Sequence, residues 1–385
     1  MKIILGVDAI KYPLTGIGRY TFELATGLQL QTDIDKLFFL RFGKIKTNSK
    51  IDFIYSQSNG HNFKNKIKNV LGAMSPIVKA YQLCQDWQQT KALKPYKNVV
   101  FHGPNYYLPN HNGPSLATFH DLSVFKYPEF HPKARRDYMF KAVSKSLRRA
   151  DIIITDSQFI RAEMIEFSGF DPSRVLVIPL AASKEFHPRI QYECQAILNK
   201  FHLNYKSYML YAGTVEPRKN LKSLLDAYDL LPETFRKNTP LVIAGYRGWR
   251  SDDIHERLKK ASSAGWAKYL GFIDSEDLPF LYSSAKTFVY PSVYEGFGLP
   301  VLEALASGVP VVCSNASSLP EVAGDAALMC HHADVNTLFQ MLIESAEDEA
   351  WRASAITKGL QHAQSFSWQR TVDQTLDAYK LAANL

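Results

Sequence analysis

The sequence has few of the features that anchor or cross-link a chain. Its four cysteines, Cys84, Cys194, Cys313 and Cys330, lie far apart with no CxxC pair, which argues against a disulfide framework or a zinc site. No apolar run reaches the roughly 18 residues of a membrane span. The starting segment MKIILGVDAI reaches Asp8 too soon for the apolar region of a signal peptide. These absences predict a soluble, cytoplasmic protein.

The composition is that of a globular protein with an excess of positive charge. Of 385 residues 46% are hydrophobic, which excludes a disordered chain, and the length predicts two to three domains. The net charge of +8 calls for an anionic partner: nucleic acid, an acidic membrane or a phosphorylated small molecule. Part of the excess lies in residues 64–97, where apolar residues recur at near-helical spacing. We favour a core-packed helix with a solvated lysine face, and a helix lying on anionic lipid is the alternative.

Short apolar strands alternate with helical patterns in two series, which predicts two parallel sheets covered on both faces. A connector with a short helix separates the series, and a helix over residues 367–385 closes the chain. We therefore predict an α/β fold of two doubly wound, Rossmann-like domains facing a cleft. Residues 1–183 with 367–385 form the first domain and residues 184–366 the second. Ligands are expected outside the carboxyl ends of the strands.

The segment 290–312 carries the most specific pattern. A strand ends, a double-glycine loop follows Glu295, and Pro300 opens a helix. Glycines let the backbone approach a ligand closely, and free amide groups at a helix N-terminus favour an anion. Glu303 is predicted in the first turn of that helix, so two carboxylates frame one volume and can accept the hydroxyls of a sugar or ribose. The loop and its amides comprise Gly296, Phe297, Gly298 and Leu299.

A second pattern, GTVEPRKNL, places Arg218 and Lys219 after a strand that ends at Gly213, where a helix begins. Cations at a helix N-terminus oppose the helix dipole. They are explained if a phosphate lies between them and the helix, since Arg binds phosphate through two donors and Lys acts as a point charge.

The first series offers weaker candidates. Gly16 and Gly18 are interpreted as a flexible turn whose amides face the cleft. His120 and Asp121 follow an apolar strand, where a histidine can bond a sugar hydroxyl or polarise a leaving group. His102 and Asn105 end the preceding strand and could line an acceptor site, although a structural role is equally compatible. The D-x-D at Asp33–Asp35 is predicted to be a solvated turn, and no metal site is predicted.

Together, the E-x7-E of 295–303, GTVEPRKN, the glycine-rich first loop and the FHD motif resemble the retaining glycosyltransferases of family 4, which have the GT-B fold. The resemblance spans nearly the whole chain. The segments YRGW and HDLSVFKYPEFHP look most like bacterial mannosyltransferases of O-antigen or capsule assembly.

The resemblance implies a role for each matching position. Arg218 and Lys219 would hold the donor pyrophosphate, and Glu303 would accept the nucleotide ribose. Glu295 would bind the transferred sugar, and His120 would contact that sugar near the anomeric centre. Gly16, Gly18 and the 296–299 loop would meet sugar and phosphates, Gly213 would line the donor site, and Phe272 and Ile273 would meet the base. Asp121, His102 and Asn105 are candidates for the acceptor side from their position at the strand ends and not from the resemblance.

The resemblance further implies a retaining, metal-independent transfer of mannose from GDP-mannose. The acceptor would be a glycan or a polyprenyl-diphosphate-linked oligosaccharide in lipopolysaccharide O-antigen biosynthesis, at the cytoplasmic face of the inner membrane. Two alternatives remain open: another nucleotide-sugar enzyme of this fold, such as an epimerase or UDP-sugar transferase, and a non-catalytic nucleotide-sugar-binding subunit. Nucleic acid is not an expected partner, because the lysine-rich stretch lacks interleaved aromatics.

Overall fold

The computed structural model describes residues 1–47 and 76–385. For residues 76–83 it describes the backbone only. The chain forms two compact units, Met1–Leu180 with Trp368–Leu385, and Ala181–Ser367. The division falls three residues before the predicted one. Most of the basic stretch 64–97 lies outside the described side chains, so the prediction for its lysine face stays a prediction there.

The first unit is built on a seven-stranded sheet in the order β3-β2-β1-β4-β5-β6-β7, parallel except for β3. Its parallel strands are those the apolar runs predict, and most of their residues are buried. The edge strand β3 was not predicted, because KIKT is polar and pairs with β2 across a tight turn at Phe42 and Gly43. The strands are β1 Lys2–Gly6, β2 Lys36–Arg41, β3 Lys44–Thr47, β4 Val100–Gly103, β5 Ser115–Phe119, β6 Ile152–Thr155 and β7 Val175–Val177.

Six helices cover this sheet in the part of the chain that is described. They are α1 Gly16–Gln29, α2 Pro76–Leu93, α3 Ser123–Lys126, α4 Lys133–Leu147, α5 Gln158–Ser168 and, from the end of the chain, α15 Trp368–Ala383. Short 3-10 turns lie at Pro128–Phe130 and Pro172–Arg174.

The second unit has a six-stranded parallel sheet in the order β10-β9-β8-β11-β12-β13. Its strands are β8 Met209–Ala212, β9 Leu241–Ala244, β10 Ala267–Gly271, β11 Thr287–Tyr290, β12 Val311–Ser314 and β13 Ala327–Cys330. In both sheets the strand order reverses at a central pair, β1 with β4 and β8 with β11. The carboxyl edge beside such a pair is where open α/β sheets bind ligands.

The helices of the second unit include four that the sequence analysis did not predict: α8, α12, α13 and α14. The first two are short, and the last two follow β13 without any strand to separate them. The helices are α6 Gln191–Phe201, α7 Leu221–Leu230, α8 Glu233–Asn238, α9 Asp252–Ser263, α10 Leu278–Ser284, α11 Leu299–Ala306, α12 Leu319–Ala323, α13 Val335–Glu347 and α14 Glu349–Ala363, with 3-10 turns at Pro217–Lys219 and Gly324–Ala326.

Helix α15 returns to the first unit and packs on α1 at a point where side-chain bulk is excluded. A Cβ on Gly27 would lie 2.4 Å from Cγ2 of Val372. The hydroxyl of Tyr379 hydrogen-bonds Nδ1 of His102 at 2.7 Å in the core, and Thr371 donates to the carbonyl of Pro179 at 2.7 Å. The predicted return of this helix to the first domain matches these contacts.

No helix within residues 1–47 and 76–385 is long and apolar enough to cross a membrane. The four cysteines are free thiols; Cys84 is exposed and the others are buried.

Replacing Tyr379 by Phe should destabilise the first unit. His102 is fully buried, so its Nδ1 would lose a partner that water cannot replace, at a cost of about 1–3 kcal/mol. Thermal unfolding followed by circular dichroism should show a lower melting temperature. The matched control is Tyr192→Phe, since Tyr192 is 87% exposed. Equal melting temperatures for the two variants would contradict the role of this bond.

Candidate active site

The loops at the carboxyl edge of the second sheet are held together by their own backbones. The amide of Gly213 donates to the carbonyl of Ala244 at 2.8 Å, and the amide of Gly245 to that of Gly271 at 2.7 Å. A Cβ on Gly245 would lie 1.9 Å from the carbonyl oxygen of Gly213. The predicted donor-site residue Gly213 therefore lies at the carboxyl edge with its amide already occupied.

Arg218 and Lys219 form the 3-10 turn that precedes α7. Asn220 follows with φ +55°, a left-handed conformation that asparagine tolerates. Its side-chain amide donates to the carbonyls of Pro291, at 3.1 Å, and His332, at 2.7 Å. One asparagine thus ties the turn to the ends of β11 and β13. The sequence analysis did not predict this role of Asn220. The sign of it in the sequence was an asparagine at the start of a predicted helix.

The two cations enclose a carboxylate. Lys219 Nζ lies 2.6 Å from Glu295 Oε1 and 2.5 Å from the hydroxyl of Tyr290. Arg218 lies 3.2 Å from Glu295 Oε2 and 3.0 Å from Glu216 Oε1. Lys219 and Glu295 are only 9% and 7% exposed. The cations predicted to face a phosphate are therefore already compensated in the protein, by Glu295 and by Glu216, which the sequence analysis missed.

Electrostatics in this cluster favours the charged form of the glutamate and works against the charged form of the lysine. Burial works against the carboxylate of Glu295, but Lys219 and Arg218 outweigh it and lower its pKa to about 2. Burial, with the charge of Arg218, lowers the pKa of Lys219. The cluster is a buried ion network in which one carboxylate serves two cations.

The double-glycine loop is fixed by two serines. Ser317 Oγ accepts from the amide of Glu295 at 2.7 Å, and Ser318 Oγ donates to the carbonyls of Glu295 and Phe297 at 2.9 and 2.8 Å. Gly298 has φ +113°, and a Cβ there would lie 2.7 Å from Cδ2 of Leu319. Among the hydrogen bonds of the described residues, none is donated by the amides of Phe297, Gly298 or Leu299. The predicted anion-binding amides stand at the start of α11.

Glu303 does not lie in the first turn of this helix, as predicted. Helix α11 begins at Leu299, one residue before Pro300, so Glu303 falls in its second turn. Glu303 is half-buried beside Tyr282, whose pKa is raised by burial and by this carboxylate. The second carboxylate of the E-x7-E pattern therefore lies near a tyrosine hydroxyl.

The two residues predicted to contact the base differ in their exposure to solvent. Phe272 is 39% exposed and stacks on Tyr246, with ring centroids 4.5 Å apart and planes at 18°. Ile273 is buried. The two rings follow the neighbouring strands β10 and β9 and present a flat aromatic surface at the carboxyl edge. Tyr246 was part of a quoted segment but had no predicted role.

His120, at the end of β5 in the first unit, forms two hydrogen bonds. Its Nδ1 lies 2.7 Å from Oδ2 of Asp156, and its Nε2 lies 2.9 Å from the carbonyl oxygen of Pro104. The Pro104 carbonyl only accepts, and so does the Asp156 carboxylate when ionised, although burial raises the pKa of Asp156. With Asp156 ionised, each ring nitrogen carries a proton and the ring is an imidazolium. Burial opposes this charge, but Asp156 and the Pro104 carbonyl outweigh it and raise the pKa of His120. Asp156, which follows the strand IIIT, was not predicted.

The interpretation of Gly16 and Gly18 as a flexible turn was wrong. Both lie in the first turn of α1, which Thr15 caps by accepting from the amide of Gly18 at 3.4 Å. A Cβ on Gly18 would lie 3.1 Å from the carbonyl oxygen of Ala9. The glycines allow the helix start to lie close to the loop after β1.

Of the predicted acceptor residues, His102 is a core residue. It is fully buried between Tyr379 and Thr118, whose hydroxyl lies 2.8 Å from Nε2, and burial lowers its pKa to about 3. Asp121 accepts from the amide and hydroxyl of Ser123, at 2.9 and 2.8 Å. Asn105 is half-buried, and its Oδ1 has no hydrogen-bond partner in the described residues. His102 cannot line an acceptor site because no part of it reaches the surface.

The D-x-D lies in a solvated turn. Asp35 pairs with the N-terminal amine at 2.9 Å, and Asp33 with Lys380 at 3.0 Å, all at the surface or near it. In residues 1–47 and 76–385, no group of three or more His, Cys, Asp or Glu side chains could hold a metal ion.

Comparison with known proteins decides the family. The model of "Glycosyltransferase Family 4" matches residues 14–185, and that of "Glycosyl transferases group 1" matches residues 197–362. The chain is 44% identical to O-antigen chain mannosyltransferase B of Escherichia coli, over 99% of this chain and 100% of the relative. It is a family 4 glycosyltransferase.

Solved structures confirm the predicted GT-B fold of this glycosyltransferase. Sucrose-phosphate synthase from Thermosynechococcus elongatus matches with a TM-score of 0.73 and 20% identity, covering 99% of both chains. Anabaena HepE, solved in complex with UDP-glucose, matches with a TM-score of 0.73 and 17% identity over 100% of both chains. The resemblance inferred from the E-x7-E, GTVEPRKN and FHD motifs is therefore confirmed at the level of family and fold.

Asp156→Asn should lower the pKa of His120. The raised pKa means that protonated His120 stabilises the fold fully below about pH 6.5, its unfolded value, and loses this contribution as the pH rises through the folded value. NMR titration of the histidine rings should show a lower pKa for His120 in the variant. The decrease in the free energy of unfolding with rising pH should also be smaller in the variant than in wild type. Asp121→Asn, which leaves the direct partner in place, is the control. An unchanged His120 pKa in Asp156→Asn would refute the imidazolium assignment.

Glu295→Gln should destabilise the second unit by about 3–5 kcal/mol, because it leaves two cations, one of them buried, without their shared carboxylate. With a pKa of about 2, this contribution is complete above the unfolded value near pH 4.3 and is lost as the pH falls toward 2. Urea denaturation should therefore show a difference from wild type that shrinks on acidification. Glu276→Gln, at an exposed carboxylate, should have little effect at any pH. Equal stability of the two variants at pH 7 would count against the network.

Proposed function

We propose that this glycosyltransferase transfers mannose from GDP-mannose to a growing glycan, with retention of anomeric configuration and without a metal ion. The observation that carries the sugar assignment is the 44% identity, over the full length of both chains, to a protein named O-antigen chain mannosyltransferase B. The same relative supports a place in the synthesis of lipopolysaccharide O-antigen.

The proposed chemistry breaks the bond between the sugar C1 and the donor phosphate oxygen. The bonding electrons pass to the diphosphate, and the acceptor hydroxyl oxygen forms the new bond to C1 from the same face. Its proton goes to a donor phosphate oxygen. Negative charge grows on the leaving diphosphate, and fixed donors aimed at such charge contribute several kcal/mol.

Arg218 and Lys219 are the groups proposed to stabilise that diphosphate. The ammonium of Lys219 has three donors, of which Glu295 and Tyr290 take two within the described residues. One donor thus remains for a phosphate oxygen. The guanidinium of Arg218 is 13% exposed, and its terminal nitrogens are held by the Tyr294 carbonyl at 2.6 Å, by Glu295 at 3.2 Å and by Glu216 at 3.0 Å. A diphosphate would therefore share or replace these partners to gain the planar donor fork of arginine. The amides of the 297–299 segment would add donors at the start of α11.

Glu295 has two tasks in this proposal. It neutralises the cations before the donor binds, and its carboxylate then accepts hydroxyls of the mannosyl group, as the family resemblance implies. A diphosphate would weaken its hold on Lys219 and Arg218, since all compete for the same donors. Glu303 would accept the ribose hydroxyls, and the stacked pair of Phe272 and Tyr246 offers a flat surface for the base.

We propose a polyprenyl-diphosphate-linked glycan as the acceptor, reached by peripheral contact with the cytoplasmic face of the inner membrane. The excess of basic residues supports contact with an anionic surface. His120 and Asp121 stand at the carboxyl edge of the first sheet, and Asn105, whose Oδ1 has no partner in the described residues, is a candidate acceptor contact.

The donor is tested by thermal shift with GDP-mannose, GDP, UDP-glucose and UDP, followed by transfer of labelled sugar to a glycan acceptor. A ligand that binds only the native state raises the melting temperature. At a free ligand concentration about 100-fold above Kd, it adds about 2.7 kcal/mol to the free energy of unfolding. We expect stabilisation by the guanine nucleotides and turnover of GDP-mannose.

Stabilisation by the uracil nucleotides alone would overturn the assignment of GDP-mannose as donor. Release of an altered free nucleotide sugar in the absence of acceptor would indicate an epimerase. Donor binding without transfer to any acceptor would indicate a non-catalytic subunit.

Arg218→Ala should lower kcat by about 100-fold or more, because one donor to the leaving diphosphate is lost. Lys222→Ala is the matched control, since Lys222 is an exposed cation on α7 that forms an ion pair with Asp226 at 2.7 Å. Its turnover should stay within about twofold of wild type, because it lies on the surface of α7. Both assays are run in EDTA and again with Mn²⁺. Activity abolished by EDTA and restored by Mn²⁺ would overturn the metal-free account.

A further inference from the structure

Positive charge is divided unequally between the two units. The first unit, residues 1–180 and 368–385, contains 27 Lys and Arg against 16 Asp and Glu. The second, residues 181–367, contains 18 against 21 and is slightly acidic. The whole positive excess of the chain therefore belongs to the first unit.

Helix α4 and the two residues after it concentrate this excess. Residues 133–149 hold seven basic side chains and one acidic one, Asp137. They also hold two exposed aromatic residues, Tyr138 at 37% and Phe140 at 61% exposure. This segment carries six of the chain's surplus positive charges, and the sequence analysis did not single it out. The basic residues are Lys133, Arg135, Arg136, Lys141, Lys145, Arg148 and Arg149.

The helix has one buried side, formed by Met139, Val143 and Ser146. At about 100° per residue, the opposite side contains Lys133, Phe140, Lys141 and Arg148 within a sector of about 100°. All four of these side chains are exposed, and Asp137 lies among them. A single surface of the helix thus presents three cations and an aromatic ring.

Phe140 continues into an aromatic ridge formed by neighbouring helices. Its ring centroid lies 6.3 Å from that of Phe125 on α3, which in turn lies 4.8 Å from that of Phe167 on α5. Phe167 is 37% exposed. We call Lys133, Lys141, Arg148 and these three phenylalanines the α4 face.

The cations of the α4 face are not held by neighbouring carboxylates. Lys145 pairs with Asp86 at 3.5 Å and Lys126 with Glu166 at 3.0 Å, both beside the face. Among residues 1–47 and 84–385, no carboxylate lies within ion-pair distance of Lys133, Lys141 or Arg148. These three charges are available to an external anion.

We infer that the α4 face docks the protein on an anionic lipid bilayer. Exposed cations are attracted to acidic headgroups, while aromatic rings enter the boundary between headgroups and acyl chains. Rings that pack against one another form a continuous apolar ridge, which suits a lipid interface better than the separate ring faces on which nucleic-acid bases stack. The inference deepens the proposed function, on which it rests, by assigning the membrane contact to one surface.

The test uses the full chain and sedimentation with two kinds of vesicle, phosphatidylglycerol with phosphatidylethanolamine, and phosphatidylcholine alone. Wild type should bind the anionic vesicles and release them at high salt. The variant Lys133→Gln, Lys141→Gln, Arg148→Gln should bind about 100-fold more weakly, at roughly fivefold for each charge near the surface. Phe140→Ala should weaken binding several-fold at low salt as well, because it removes apolar burial rather than charge.

The matched control carries Lys259→Gln, Lys260→Gln and Lys358→Gln, which removes three exposed charges from the second unit. It should bind vesicles as wild type does. Equal loss of vesicle binding in both triple variants, or unchanged binding of the α4 variant, would overturn the proposal. Transfer of mannose to a short, lipid-free glycan is measured in parallel and should be equal in all variants. Absence of that activity in wild type would refute the proposed function and leave the vesicle result to decide the docking surface.

Discussion

The buried network of Lys219, Glu295 and Arg218 is the constraint on which the second unit's site depends. A lone cation at this depth would be costly, and removing either partner of a buried pair leaves an uncompensated charge. The network therefore joins the turn before α7 to the loop after β11. Under the proposed function, a donor diphosphate would not enter a vacant cationic site but would compete with the Glu295 carboxylate, whose pKa is lowered to about 2.

The first unit also has a buried titratable side chain, His120, at the carboxyl edge of its sheet. His120 is charged there when the Asp156 carboxylate and the Pro104 carbonyl each accept a hydrogen bond from its ring. His102, on the neighbouring strand, is neutral and holds α15 in the core. Two histidines of the same sheet thus differ in charge because their partners differ: a carboxylate and a carbonyl for one, two hydroxyls for the other.

The sequence sufficed to predict the sheets, the connector and the family, because buried parallel strands are continuous apolar runs and the motifs follow them directly. It did not suffice for β3, which is polar, or for α13 and α14, which no strand separates. Candidate residues were identified by position but not by partner. Glu216, Asn220 and Asp156 lie next to predicted residues, yet nothing in a linear pattern tells which distant carbonyl or cation a side chain reaches. For His102 the sequence left a structural and an acceptor role equally open, and its buried partners Tyr379 and Thr118 decide for the structural one. The Gly16 segment was interpreted as a turn because glycines are poor helix formers, yet it begins α1.

The return of α15 has a consequence for biogenesis. Its Tyr379 and Thr371 complete the core of the first unit, yet the ribosome makes them only after all of residues 181–367. The earlier part of that unit must therefore wait, with His102 lacking its hydroxyl partner and the surface of α1 around Gly27 uncovered. The second unit, continuous in the chain, is free to fold first. The unit whose synthesis begins first is thus the one whose last helix is made last.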